Sequence, residues 1–228
     1  MLLPAFVCFD GFILSHTYEP IDMLSQEDVD RYLPKFTPYE RLDAADPISF
    51  GMYATPDYYH EFRYETDLAV KRAKDVFRKA AKEFASMFGR DYSGLIEEYR
   101  MEDAETAIIA MGSVCGTIKD AIDEMREAGK KVGLVRIRVF RPFPTEEIAM
   151  ALLKAKRVAV LDKNISLGAK GATALEIKDA LYGKTVPVLD YIIGLGGRDV
   201  RKRDIAAIVA LAERGEGDMF YGLRKEVL

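Results

Sequence analysis

Residues 106–139 read TAIIAMGSVCGTIKDAIDEMREAGKKVGLVRIRV. Thr106 to Met111 is an unbroken apolar run, short enough to be a strand buried on both faces. Gly112-Ser113 ends it, and Val114 to Ala128 then sets Ile118, Ile122 and Met125 at helical spacing. Val132 to Val139 returns to strand. The same rhythm continues to the C-terminus. Thr145 is expected to cap a helix whose first turn holds Glu146 and Glu147, where the helix dipole favours acids. Arg157 to Leu161 reads as a strand, Gly171 to Leu181 as a helix and Val186 to Ile193 as a strand. Asp204 is expected to cap a last helix ending near Glu213. Pro187 puts its strand at an edge or delays its pairing. Strands alternating with helices across short links predict an α/β fold, a three-layer αβα sandwich on a mostly parallel sheet.

Working back toward the N-terminus, regularity fades. Gly89 suits the C-cap of a long helix from Tyr58 to Phe88, whose stripe includes Phe62, Ala69, Ala73, Val76, Phe77, Ala80 and Phe84. The stripe is expected to pack. Residues 90–103 read as a connector, and so does the Pro-rich stretch from Lys35 to Asp57. Ser25 with Asp28 forms a capping box for a short helix that Pro34 stops. Leu2 to Phe9 (LLPAFVCF), closed by Asp10-Gly11, reads as a buried strand. Such a strand needs neighbours to pair with and helices to cover it, and the next stretch supplies neither. It is therefore expected to be the last strand of a domain whose other strands lie elsewhere, or else to borrow a surface from later elements of the chain.

The bulk numbers exclude several classes. Lys+Arg 33 against Asp+Glu 37 leaves a net charge of −4, without the basic stripe a nucleic-acid surface wants. The two cysteines, Cys8 and Cys115, are too few to hold a zinc ion or an iron–sulfur cluster. Both sit in apolar sequence and read as inert buried thiols. No run approaches a membrane span, and no basic region precedes Leu2 as in a signal peptide, so a cytoplasmic location is expected.

In an open parallel sheet, ligands bind beyond the carboxyl ends of the strands. Three loops fall there. Gly112, Ser113, Gly116 and Thr117 form a strand-to-helix turn whose amides suit a phosphate or carboxylate, although it is neither GxGxxG nor a P-loop. A plain tight turn with Ser113 as N-cap explains it as well. Asp162 to Gly171 is an anion or interface loop, or an ordinary solvent loop. In Gly194 to Asp199, Arg198 is suited to fork onto a carboxylate or phosphate, or to clasp Asp199 within the loop. Arg136, Arg138 and Arg141 flank a buried strand and must meet carboxylates or another subunit. Arg138, Arg141, Arg198 and Asp199 are the interface candidates. His16 and His60 are the only histidines. Asp10, Ser15 and His16 lie too close together on one turn for a triad.

Several stretches then occur in series: Leu3 to His16 (LPAFVCFDGFILSH), Phe88-Gly89-Arg90, Glu97 to Arg100 (EEYR), Arg141 to Pro144 (RPFP), Gly194 to Val200 (GLGGRDV) and Gly222 to Glu226 (GLRKE). Together they resemble the alpha subunit of pyruvate:ferredoxin oxidoreductases (pyruvate synthases), over essentially the whole chain. The resemblance implies oxidative decarboxylation of a 2-oxoacid, most simply pyruvate, on thiamine diphosphate. Electrons pass through iron–sulfur clusters to ferredoxin, and the acyl group goes to coenzyme A. It implies that residues 1–33 are the tail of a thiamine pyrimidine-type domain and residues 34–102 a linker and long helix. Residues 103–228 would form a domain like the transketolase C-terminal domain. The family's catalytic residues belong to an upstream part. No catalytic residue, thiamine diphosphate, magnesium ion or cluster is therefore expected on this chain, and its partners are the beta, gamma and delta subunits. The alternatives are a stand-alone nucleotide- or coenzyme A-binding module built on the Gly112 and Gly168 loops, and a pure oligomerisation element.

Overall fold

A computed structural model of the chain describes residues 2–38, 40–92 and 94–228; Met1, Tyr39 and Ser93 lie outside the described residues. The chain divides into two units, residues 1–4 with 18–93 and residues 5–17 with 94–228.

The second unit carries the sheet. A short helix, α1 (Ile13–His16), precedes it in the chain. Its elements follow as β1 (Ile96–Tyr99), β2 (Thr106–Ala110), α4 (Val114–Glu127), β3 (Val132–Ile137), α5 (Thr145–Leu152), β4 (Arg157–Asp162), α6 (Ala172–Ala180), β5 (Val188–Ile192), α7 (Lys202–Glu213) and β6 (Met219–Phe220). The sheet order is β1-β3-β2-β4-β5-β6. All pairs are parallel except β1 with β3, which runs antiparallel with Ile96 opposite Ile137. The chain steps from β2 to β3 on one side, then crosses to β4 on the other. The order therefore reverses between β2 and β4, the kind of position where open α/β sheets bind ligands.

Alternation along each strand builds two cores. Ile108, Ala110, Leu134, Ala159, Leu161, Tyr191 and Ile193 face α4 and α7. Ala107, Ile109, Val135, Ile137, Val158 and Val160 face α5 and α6. Burial on both faces makes β2 a continuous apolar run, as its sequence predicts. Pairing of β5 with β4 begins at Val188, just after Pro187, whose carbonyl accepts from the Val158 amide at 2.9 Å.

Three expectations need correction. Leu2 to Phe9 is not a strand: it has no partner among the described residues, and Phe6 and Val7 are each 93% exposed. Without a neighbouring edge its amides and carbonyls stay with solvent. Cys8 is accordingly exposed, while Cys115 is buried, as read, and burial pushes its thiol up to about 11. The stretch from Arg90 to Asp103 is not all connector, because it contains β1. Two helix caps also shift by position. Pro144 stands at the N-cap of α5 with Thr145 as its first helical residue, and Asp204 sits inside α7, its carboxylate accepting from the Arg201 amide at 2.9 Å.

The first unit contains α2 (Gln26–Tyr32) and α3 (Pro56–Phe88). The Ser25 hydroxyl accepts from the Asp28 amide at 3.1 Å, the cap the sequence predicts. Gly89 closes α3 in the left-handed conformation, φ 67°. Tyr32 sits edge-on to Phe84 and Phe88 and donates to the Ala80 carbonyl at 2.9 Å. Among the described residues only this end of the α3 stripe is aromatic-packed; Phe62 is 52% and Val76 46% exposed.

An acid paired with three bases pins the antiparallel edge. Glu97 on β1 accepts from Arg138 at 2.8 Å and Arg136 at 3.4 Å and pairs with Lys119 of α4. Burial alone would raise the Glu97 carboxyl, but hydrogen bonds from Lys119 and Arg138 outweigh it and lower the pKa from 4.5 to about 2. A depressed carboxyl adds stability above its unfolded pKa and loses it as pH falls through the folded value. Glu97→Gln should therefore cost roughly 1–3 kcal/mol at pH 7. Its melting temperature should converge with that of the parent chain as pH drops from about 4.5 toward 2. A gap that persists at pH 2 would assign the effect to packing rather than charge.

Candidate functional site: the carboxyl rim of the sheet

The strand order puts the Gly112 turn, after β2, and the Asp162–Gly171 loop, after β4, on either side of the reversal. Each leads into a helix whose first amides lack intrahelical partners. These amides attract anions, and the helix dipole adds to the attraction.

Between the two loops lies Asp10. Its carboxylate accepts from the Ser113 amide at 2.7 Å and pairs with the Lys163 ammonium at 2.9 Å. A hydrogen bond from the Ser113 side chain, helped by the Ser113 amide and Lys163, outweighs the opposing burial and draws Asp10 down to about 2. Gly112 makes this approach possible. It has φ +79°, and a Cβ there would lie 2.9 Å from an Asp10 oxygen. The anion position predicted on Gly112, Ser113, Gly116 and Thr117 is thus taken at Gly112 and Ser113 by the chain's own carboxylate. Gly116 and Thr117 fall inside the first turn of α4, where the Gly116 amide donates to the Ser113 carbonyl at 3.1 Å.

The second loop is closed in the same way. Asp162, 1% exposed, accepts from the Thr173 amide at 3.3 Å and the Ala174 amide at 2.9 Å. Asn164 accepts from the Ala172 amide at 2.9 Å, and Asp190 from the Gly171 amide at 3.0 Å. Four consecutive amides at the start of α6 are therefore satisfied by three side chains. The second oxygen of Asp190 is buried without a hydrogen bond among the described residues. Burial, with Asp162 and Asp218 nearby, raises its pKa against the pull of the Gly171 amide.

Each interface candidate also has a partner within the chain. Arg138 holds Glu97. Arg141 pairs with Glu176, lies over the Phe140 ring at 4.4 Å and is 56% exposed. Arg198 does not clasp Asp199; it donates to the Gly222 carbonyl at 2.7 Å, while Asp199 meets Arg201 at 3.4 Å. Ser15 and His16 hydrogen-bond at 2.7 Å, but Asp10 is engaged elsewhere, so the three form no relay. Among the described residues, no group of three or more His, Cys, Asp or Glu is arranged to hold a metal.

Sequence reasoning missed Asp10 as a tether because its partners stand 103 and 153 positions away. Asp190 did carry a readable signal: an acid inside the apolar run VLDYII has to find donors.

Asp10→Asn should weaken the tether by about 1–2 kcal/mol, the difference between a charge-assisted and a neutral hydrogen bond. Amide hydrogen exchange at Ser113 and proteolysis within residues 5–17 should both quicken, and Gly112→Ala should do the same. In the parent chain the tether should hold down to about pH 3.8 and fail as pH falls through about 2. Unchanged Ser113 exchange in Asp10→Asn would refute it.

The family model described as pyruvate:ferredoxin oxidoreductase core domain II matches residues 104–205. The model described as pyruvate flavodoxin/ferredoxin oxidoreductase, thiamine diphosphate-binding, matches residues 1–82. The chain is 50% identical over 227 residues to a pyruvate synthase subunit PorA of Methanothermobacter thermautotrophicus, covering 99% of this chain and 58% of that protein. It is 47% identical to a PorA of Methanocaldococcus jannaschii, with 99% and 59% covered. It is also 47% identical to a ketoisovalerate oxidoreductase subunit VorA of Pyrococcus horikoshii, with 90% and 53% covered. A solved 2-oxoglutarate:ferredoxin oxidoreductase from Magnetococcus marinus, with 2-oxoglutarate, coenzyme A and succinyl-CoA bound, aligns at TM-score 0.45 and 20% identity over 71% of this chain and 24% of that one. The chain spans little more than half the length of the relatives it matches. With both family models matched in order and near-complete coverage by such relatives, the chain belongs to the pyruvate:ferredoxin oxidoreductase family.

Proposed function

We propose that the chain works as part of an alpha-type subunit in a 2-oxoacid:ferredoxin oxidoreductase. That enzyme oxidatively decarboxylates pyruvate with coenzyme A to acetyl-CoA and carbon dioxide and reduces ferredoxin. The observation that carries this reading is the 50% identity to a PorA subunit over 227 residues. Pyruvate is preferred over ketoisovalerate because a PorA subunit matches at 50% identity over 99% of the chain, against 47% over 90% for a VorA subunit.

Within that assembly the chain's role is scaffolding. Thiamine diphosphate, magnesium and iron–sulfur clusters belong to the whole enzyme rather than to this chain. The donor sets at hand do not suit those groups: the helix-start amides on either side of the sheet reversal already hold Asp10, Asp162, Asn164 and Asp190. The same observation disfavours a coenzyme A module built on the Gly112 and Gly168 loops. Residues 103–228 serve as the transketolase C-terminal-like domain. The beta, gamma and delta subunits cover the apolar residues left exposed near the N-terminus, among them Phe6, Phe12, Tyr18 and Ile21. Arg141, exposed and next to two phenylalanines, suits a subunit contact. No helix among the described residues is long and apolar enough to cross a membrane, which accords with work in the cytoplasm.

Calorimetric titration of the isolated chain with thiamine diphosphate and magnesium should show no binding tighter than roughly micromolar, about −8 kcal/mol. A tighter complex would put the cofactor site on this chain and overturn the scaffolding role. An assembly purified through this chain should reduce ferredoxin with pyruvate and coenzyme A. Reduction with ketoisovalerate alone would reassign the substrate.

A further inference from the structure

Beyond β5 the rim differs from the two closed loops. A groove of about 610 Å³ opens there, between the Gly194–Gly197 loop, the start of α7 and the segment after β6. Its volume lies within the range of roughly 300–1,000 Å³ typical of small-molecule sites. Four arginines line it, Arg198, Arg201, Arg203 and Arg224, against two aspartates. Both aspartates are engaged: Asp199 with Arg201, and Asp204 with the Arg201 amide. Arg198 is used to hold the Gly222 carbonyl. Arg203 and Arg224 have no ion-pair partner among the described residues. The groove thus holds two uncompensated guanidinium groups beside a loop in which Gly194, Gly196 and Gly197 all have positive φ, so backbone can approach a ligand closely. Guanidinium forks match phosphate oxygens.

We infer that this groove binds a small molecule bearing a diphosphate, with Arg203 and Arg224 as its principal cationic contacts. The other two arginines shape the site: Arg198 anchors the segment at Gly222 and Arg201 fixes Asp199. A carboxylate ligand would need only one fork, whereas two unpaired guanidiniums suit the several oxygens of a diphosphate. The inference does not depend on the function proposed above.

The test is a titration of the ¹⁵N-labelled full chain with inorganic pyrophosphate, and separately with ADP, at low ionic strength. Saturable amide shifts should appear at Gly194, Gly196, Gly197 and the first turn of α7. Arg203→Gln and Arg224→Gln should each weaken binding about tenfold, while Lys184→Gln, an equal loss of charge elsewhere, should stay within about twofold. Tighter binding of ADP than of pyrophosphate would identify a nucleotide ligand, and equal affinity an inorganic or generic diphosphate; both support the site. Shifts centred on Gly112 and Ser113, an absence of saturation, or an equal loss in Lys184→Gln would overturn it. Thermal melts of the arginine variants should match the parent, since both side chains are exposed. Thiamine diphosphate carries the same group, so heat in the thiamine titration that disappears in Arg203→Gln and Arg224→Gln would belong to this groove and leave the scaffolding role standing, whereas heat that persists in both variants would count against that role.

Discussion

Unpaired amides at helix starts are the constraint on which the carboxyl rim of this sheet is built. A parallel sheet with helices on both faces directs each such start toward the same edge, and every one must find an acceptor. Here the chain provides its own. Asp10 reaches Ser113 before α4, Asp162, Asn164 and Asp190 cover the first amides of α6, and Asp204 turns back to the Arg201 amide at α7. Buried carboxylates are costly when left alone, yet each of these gains donors that a solvated acid would otherwise take from water. The result is a rim that is electrostatically closed at the sheet reversal, where an enzyme of this topology would ordinarily be open.

That closure also explains why the glycines matter unequally. Gly112 admits the Asp10 carboxylate, and a Cβ at Gly171 would run into Asp162, at 2.1 Å from its nearest oxygen. Gly196 and Gly197, by contrast, have open space where a Cβ would go. The first pair is required by contacts within the chain. The second pair, with positive φ and open space where a Cβ would go, sits in a turn held by its own backbone, where the Gly197 amide donates to the Gly194 carbonyl at 3.2 Å.

The core of the fold was legible because its signals are local. Burial on both faces yields apolar runs such as TAIIA and VAVL, and amphipathic helices follow each with short links. What failed to show was decided by partners remote in sequence. β1 contains Glu97 and Glu98, which as text resemble a solvated link; antiparallel pairing with β3 makes a strand of them, and Lys119, Arg136 and Arg138 engage Glu97. β6 is two residues long and exists only through pairing with Tyr191 and Ile192. Leu2 to Phe9 erred the other way, with an apolar composition suited to a strand but no edge to join. The candidate site splits along the same line. The Gly112-Ser113 turn and the Arg198 loop could be found from strand–turn–helix order, whereas the tether from Asp10 could not.

The two units differ in how much of their apolar surface they hide, and this bears on the role of the chain. In the second unit the sheet is covered on both faces, and its largest side chains, such as Ile108, Ile118 and Tyr191, are inaccessible. In the first, α3 is a 33-residue helix on which only Ala73 is buried, and Tyr58, Tyr59, Phe62 and Tyr64 are all at least half exposed. A helix of that length and aromatic content loses little by standing alone only if its charged residues solvate it. The i,i+4 and i,i+3 pairs Asp67–Lys71 and Asp75–Arg78 do part of this on its polar side. On the aromatic side the Arg63 guanidinium lies 5.2 Å from the centre of the Tyr59 ring, which leaves most of that surface to solvent. A self-sufficient domain would have selected against so much exposed tyrosine and phenylalanine. A segment that matches a thiamine-binding family model through residue 82, and that meets further subunits in the assembly proposed above, would retain it.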